Sequence, residues 1–445
     1  MQGQAVPLTH RRVLNIALPI VLSNATIPLL GLVDTGVVGQ LGRAEPIGAV
    51  GIGAVILTSV YWIFGFLRMG TSGLVAQSHG AGDGPEVGAH LLRGLAIAGI
   101  AGLAFILLQI PIFWAAFNIA PASAGVEALA RDYLTIRIWG APATIALYAI
   151  TGWLIAIERT RAVLALQVLQ NGLNVGLDIL FVLGLGLGVT GVAWATLIAE
   201  WGGLLLGLYL ARHALRAAIA AARNAATLFA ADKLNRMMRV NGDIMIRSVL
   251  LQASFTSFLF LGAAQGDVTL AANQVLVQFL SITAFALDGF AFAAESLVGQ
   301  AVGARHPGQV RRASILTSQW GVAGAVLLGV LFWALGGAII DLLTTAPDVR
   351  SEARNYLIWM GFAPLIGIAS WMFDGIFIGA TLTRDMRVAM LQSVAVYVLA
   401  VVILPPFWGN HGLWAALMIL NAMRGVTMAR RYSRAEIAAQ PGDRA

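Results

Sequence analysis

The chain has no cysteine, so neither a disulfide nor a thiolate metal centre is open to it. Charge is scarce as well. Asp, Glu, Lys and Arg supply 11% of the 445 residues, where a water-soluble domain carries about 25%. With 59% hydrophobic residues and a mean hydropathy of +0.82, too little polar sequence remains to cover a water-facing surface or to build a separate soluble domain. Catalytic signatures are missing too. No glycine-rich phosphate loop follows a strand, and neither a paired-histidine zinc helix nor a nucleophile elbow occurs. A disulfide-stapled secreted protein is excluded, and nothing supports an enzyme.

The net charge of +7 and the pI near 10.3 would suit nucleic acid, but the distribution excludes that partner. The basic residues fall in short loops between apolar runs and form no stripe on a globular face. Arg11, Arg12, Arg93, Arg159, Arg161, Arg239, Arg305, Arg311, Arg312, Arg384 and Arg387 gather on one side, which the positive-inside bias makes cytoplasmic. Arg43, Arg131, Arg137, Arg350 and Arg354 fall on the other. Both termini are therefore expected in the cytoplasm, with the chain multi-pass in the cell (inner) membrane. No small-residue cleavage site follows the first apolar run, which reads as a retained span and not a signal peptide.

Apolar runs long enough to cross a bilayer, about 20 residues, fall near 13–38, 46–78, 91–117, 126–157, 162–184 and 189–211. A second set falls near 238–262, 269–302, 313–343, 351–380, 386–408 and 411–429. They are too long and too uniformly apolar for barrel strands, so twelve helices are expected. The two sets are copies. Leu74-Val75-x-Gln77-x-x-Gly80-Ala81 returns 223 residues later as Leu297-Val298-x-Gln300-x-x-Gly303-Ala304. Ala141-Pro142 and Leu169-Gln170 return after 222 residues as Ala363-Pro364 and Leu391-Gln392. The expected organisation is an N-lobe at 1–211, a cytoplasmic linker at 212–237 carrying Arg212, Arg216, Arg223, Lys233 and Arg236, and a C-lobe with a cytoplasmic tail at 238–445. A duplicated apolar chain of this size points to a transporter with its binding site between the repeats.

A carboxylate held in hydrocarbon is costly, roughly 2.5–3.5 kcal/mol on insertion scales, so each one needs a reason. Asp34 lies in GLVDTGVVGQLG (31–42), on a run already weakened by Pro19 and Pro28, which makes that helix a candidate for bending. Asn171, Asn174 and Asp178 are spaced three and four apart in QNGLNVGLDILFV (170–182), and Gln167 extends the same face. Such a stripe must face protein, water or an ion, and polar glue between helices is the competing reading. Thr196 matters only if its hydroxyl points at the same place. Glu200, one turn on, is expected to reach the cytoplasmic interface and be solvated. Ser257 and Ala400 stand where the second copy would repeat Asp34 and Asp178, so cation chemistry is expected in the first half alone. In the second half Asp288 and Glu295 lie seven apart on one helix face. Arg68, on the repeat mate of that helix, is the expected gate partner of Glu295, paired when the inner side is closed. Arg247 is expected to pair with Asp288 or Asp243. Asp374, in WMFDGIFIGATLTRD (371–385), is a further candidate for the cleft, as are Asn171 and Asp288.

GLVDTGVVGQLG, FLRMGTSGLVAQ, the NGLNVGLD run and MFDGIFIGAT, in this order and spacing, resemble the MATE (multidrug and toxic compound extrusion) family, and within it the DinF-like branch, over nearly the whole chain. The resemblance implies an all-α integral membrane transporter of twelve helices in two pseudo-symmetric six-helix lobes. It implies export of organic cations or amphiphiles against an inward cation flux. It maps an N-lobe cation site onto Asp34, Asn174, Asp178 and Thr196, the same four being the sodium ligands if sodium is the coupling ion. It also matches Asp374 to a tenth-helix aspartate. The acidic residue that some sodium-coupled members carry on the seventh helix has no counterpart in SVLLQASFTSFLF (248–260).

The expectation is thus an antiporter working by alternating access as a monomer, with small organic cations or amphiphiles and membrane lipid as its partners and no cofactor beyond H+ or Na+. Protons come first, because two crowded carboxylates in a low dielectric load and release a proton near neutral pH. Sodium is the competitor, since two carboxylates, an amide and a hydroxyl are hard oxygen ligands. The alternative is a flippase for lipid-linked precursors, which would need a cavity lined with basic residues.

Overall fold

A computed structural model describes residues 7–40, 42–119, 122–222 and 228–440. Arg223 of the linker and residues 441–445 of the tail lie outside them. The described residues are almost entirely helical. The first half contains α1 (His10–Ala25), α2 (Ile27–Gly39), α3 (Ala44–Trp62), α4 (Gly65–Gly80), α5 (Gly84–Leu107), α6 (Gln109–Ile119), α7 (Ala124–Arg137), α8 (Ala141–Ala156), α9 (Thr160–Asp178) and α10 (Gly188–Ala221). The second half contains α11 (Ala231–Ala263), α12 (Asp267–Gly303), α13 (Pro307–Leu343), α14 (Pro347–Gly379), α15 (Thr383–Ala429) and α16 (Ser433–Ile437). Starts are set by local chemistry. Asp83 caps α5 by accepting from the Glu86 N–H at 3.1 Å, with Pro85 in the first turn, where no backbone donor is needed.

Ten helices among the described residues are long and apolar enough to cross a membrane, where the apolar runs predict twelve. The difference has two causes. The first run is interrupted at Thr26, whose N–H and hydroxyl both donate to the Ser23 carbonyl, at 3.1 and 2.7 Å. Pro28 then sits in the opening turn of α2, so the run becomes helices of 16 and 13 residues. At the other end, α15 is 47 residues long and holds two legs parted at Gly409, whose φ of 54° no α-helix contains.

The duplication is written into the backbone. Three pairs of left-handed residues stand 223 apart: Gly82 (φ 74°) with Arg305 (58°), Glu158 (60°) with Thr381 (53°), and Gly186 (69°) with Gly409 (54°). The first two pairs close α4, α12, α8 and α14 with left-handed C-terminal turns. The third pair explains α15. Gly186 separates the fifth and sixth spans of the first half as Gly409 separates the legs of α15.

The helices form two compact units. The N-terminal unit comprises Leu22–Val75 and Asp83–Met237, and the C-terminal unit comprises Met1–Val21, Ala76–Gly82 and Met238–Ala445. The N-terminal core gathers Val38, Ala49, Leu57, Tyr133, Leu134 and Val192. The C-terminal core is built on Phe258 edge-on to Trp414 and Phe279 edge-on to Phe332. In the C-terminal unit the repeated motif packs on its own copy. A Cβ on Gly80 would stand 2.0 Å from the Gln300 carbonyl oxygen, and one on Gly303 would stand 1.9 Å from that of Gln77. Only glycine permits this crossing, and the reciprocity shows why both copies kept it.

Gly303→Ala should therefore lower stability by about 1–3 kcal/mol, the usual cost of overpacking. Gly308→Ala, where a Cβ meets nothing within 4 Å, should be neutral. Thermal unfolding in detergent checks both, and equal unfolding temperatures would contradict the crossing.

Candidate functional site

In the N-terminal unit, Asp34 is carried midway along α2, Asn174 and Asp178 by the last two turns of α9, and Thr196 by α10. The structure brings all four side chains together. The amide of Asn174 can donate to Thr196 Oγ1 at 3.0 Å, or turn over so that its nitrogen meets acceptors and its oxygen a donor, the orientation that suits ionised carboxylates. The nitrogen then donates to Asp34 Oδ1 at 3.0 Å and to Asp178 Oδ2 at 3.1 Å, and the oxygen accepts from Thr196 Oγ1 at 3.0 Å. The two carboxyl groups are thereby neighbours across one amide nitrogen. Asp178 is wholly buried, and its Oδ1 meets no donor among the described residues.

Local sequence explains the placement. Asn171 donates from Nδ2 to the Thr26 carbonyl at 3.4 Å, where the first span breaks. Gln167 Nε2 donates to Asn171 Oδ1 at 3.0 Å. The polar face of α9 therefore touches the helix break at one level and the carboxylates one turn further on. Asp178 is the last residue of α9. After it the chain widens into a π-helical turn, Ile179–Gly184, before α10 begins. Such turns recur at functional sites.

Glu200 is not solvated as the sequence suggests. Arg137, the last residue of α7, holds it with two parallel hydrogen bonds, Nη1 to Oε2 at 2.7 Å and Nη2 to Oε1 at 2.9 Å. Both side chains are largely buried. Gly140 makes room for the pair, since a Cβ there would lie 2.1 Å from Glu200 Oε2. Arg137 is thereby engaged, and no Arg or Lys lies at salt-bridge distance from Asp34 or Asp178 among the described residues.

The C-terminal unit repeats the crossing without the charge. At the 223-residue offset that the left-handed turns give, Ser257 stands for Asp34 and Tyr397 for Asn174, one residue from the 222-residue register of the sequence motifs in that helix. The Ser257 and Tyr397 hydroxyls are 3.0 Å apart, and Tyr397 also donates to the Ser254 carbonyl at 3.1 Å. Elsewhere in this unit the expected pairing of Arg247 is corrected. Arg247, on α11, donates to Asp374, and so does Arg424, at 2.7 Å. Asp243 is taken by Arg387 at 2.7 Å and by the Thr383 hydroxyl at 3.1 Å. Asp374 is thus clamped between two arginines. Asp288 and the buried Glu295 both lie on α12. Arg68 lies on α4 within the N-terminal unit, so the expected gate partners belong to different units. Among the described residues no three His, Cys, Asp or Glu side chains converge as for a metal centre. The sequence reading missed Arg137 and Arg424 as site residues. Arg137 was counted with the arginines of the outer side and Arg424 was not singled out, and the signal was position: both belong to helices, beside carboxylates on neighbouring ones.

The family profile described as MatE matches residues 19–180 and again 244–405, once in each half. DNA damage-inducible protein F of Escherichia coli (strain K12) is 40% identical over 94% of this chain and 91% of its own length. A probable multidrug resistance protein NorM of Pseudomonas aeruginosa is 26% identical over 96% of this chain and 90% of its own. A solved structure described as the outward-facing conformation of a multidrug resistance MATE family transporter of the MOP superfamily has the same fold, with a TM-score of 0.86 over 96% of each chain at 18% identity. With its two family matches, its multi-pass helices and its close likeness to the Escherichia coli protein, the chain belongs to the MATE family of efflux transporters and is a membrane transporter, not an enzyme.

Proposed function

We propose that the chain is a proton-coupled antiporter that exports organic cations or amphiphilic drugs by alternating access, with Asp34, Asn174, Asp178 and Thr196 as the coupling site. One observation carries this reading: both carboxylates converge on the one Asn174 amide, and among the described residues no Arg or Lys lies at salt-bridge distance from either. Two carboxylates in contact away from water cannot both stay ionised without a cation between them. A proton fits that place. Sodium would need the amide turned the other way, its nitrogen donating to Thr196 Oγ1 at 3.0 Å and its oxygen facing the carboxylates as a further ligand. Drug export is supported by the relatives named for multidrug resistance. The inner membrane, cytoplasmic termini and a monomer remain part of the proposal, the first two on the arginine distribution.

The proton cycle follows from the bonds. Deprotonation leaves two charges competing for one amide, and a proton returned from outside joins the carboxyls directly. That changes the pull on α2 at Asp34, while Asn171 holds the Thr26 break to the same face of α9. The break is where the change in bend is expected.

Asp34→Asn should reduce gradient-driven export in proteoliposomes to the background of empty vesicles while the protein still inserts and unfolds at an unchanged or higher temperature. Full export by this variant would sink the coupling site. In the wild type, an inward proton gradient alone should drive drug export and an inward sodium gradient alone should not. The opposite result would assign the site to sodium.

A further inference from the structure

The N-terminal unit concentrates negative charge, and the C-terminal unit does the opposite at one place. Arg247 on α11, Asp374 on α14 and Arg424 on α15 meet inside it, each less than a tenth exposed. Both guanidinium groups donate to the same carboxylate oxygen, Asp374 Oδ2. Arg424 also donates to Asn421 Oδ1 at 3.1 Å. One carboxylate against two guanidiniums leaves a formal charge of +1. Asp243, one turn before Arg247, does not offset it, because Arg387 already balances that carboxylate. No other carboxylate lies at salt-bridge distance from Arg247 or Arg424 among the described residues.

A helical clamp on Asp374 needs one arginine. The second adds an uncompensated cation in a buried, membrane-spanning region, where such a charge is costly unless something pairs with it. The donor count points the same way. A guanidinium has five N–H donors. Arg247 directs one hydrogen bond to a protein acceptor and Arg424 directs two, and the rest meet none among the described residues. Two planar forks anchored on a shared carboxylate, with donors left over, match an oxyanion that accepts hydrogen bonds in pairs.

We propose that Arg247 and Arg424 form an anion subsite for the oxyanion head (carboxylate, sulfate or phosphate) of an amphiphilic substrate, Asp374 serving to hold the two forks in place. This rests on the export reading for what delivers such a molecule, and it extends the substrate class from cations to zwitterionic and anionic amphiphiles. A lipid phosphate has the same chemistry and is the other source of the head.

The test compares rhodamine B, which carries a free carboxylate, with its methyl ester, which lacks that charge. Binding to the full-length protein in a neutral detergent is read by fluorescence anisotropy. The free acid should bind about tenfold or more tightly than the ester, as expected for a charged hydrogen-bonded pair. Arg247→Gln should bring the acid down to the ester's affinity and leave the ester unchanged. Asp374→Asn keeps an acceptor oxygen to hold the forks and removes only the competing charge, so it should tighten the acid. Opposite responses of the two variants exclude a general folding defect. Added phosphatidylglycerol that displaces the acid and spares the ester would identify a lipid phosphate as an occupant. No displacement would leave the substrate's own head as the occupant. Equal binding of acid and ester, no binding of the acid, or parallel weakening of both dyes in both variants would overturn the proposal. No gradient is present in these measurements, so a failure of proton coupling would show in the export assays and leave this result untouched.

Discussion

A charge placed among apolar helices must find a counter-charge or a hydrogen-bonded partner, and this constraint organises the polar side chains of the protein. With charge at only 11% of the sequence, the side chains that remain inside the helices are sorted into pairs. Glu200 is matched to Arg137, Asp243 to Arg387, and Asp374 to Arg247 and Arg424. Each tie joins helices far apart in sequence, so the same bonds that neutralise charge also fix helix positions. Asp34 and Asp178 are held differently, by one amide that both can accept from. Their shared amide, with no arginine or lysine at salt-bridge distance among the described residues, is what supports the proposed coupling site.

Duplication supplied the scaffold and selection divided the chemistry. The left-handed turns at Gly82 and Arg305, Glu158 and Thr381, and Gly186 and Gly409 keep one backbone plan in both halves. At the equivalent helix crossing one half has Asp34 with Asn174, and the other has Ser257 with Tyr397. A serine–tyrosine pair keeps the helices hydrogen-bonded without binding or releasing a proton near neutral pH. The two halves can share a fold and differ in function because the crossing tolerates either pair.

Much of this was legible in the sequence, and the limits are physical. The stripe of Gln167, Asn171, Asn174 and Asp178 could be read because all four lie on one helix, where spacing determines the face. Asp34 could be joined to it only through family resemblance, since no spacing relates residues on different helices. The same limit hid the partners of Glu200 and Asp374. Glu200 looked solvated because Arg137 is 63 residues away in sequence, and Arg247 was matched with the wrong aspartates. The break at Thr26 was invisible for another reason. The apolar pattern continues through it, and the prolines on either side foretold a weakness and not its position. The two legs of α15 were separated correctly because Gly409 interrupts the apolar run.

The central claim is that Asp34 and Asp178 share one exchangeable proton. Infrared difference spectroscopy of the purified protein between acidic and alkaline buffer, in the absence of sodium, reads protonated carboxyl groups directly. The account predicts a protonated-carboxyl band lost at alkaline pH, absent from Asp34→Asn and from Asp178→Asn, and unaffected by sodium at constant pH. A spectrum without that band, or one in which sodium alone removes it, would contradict the account.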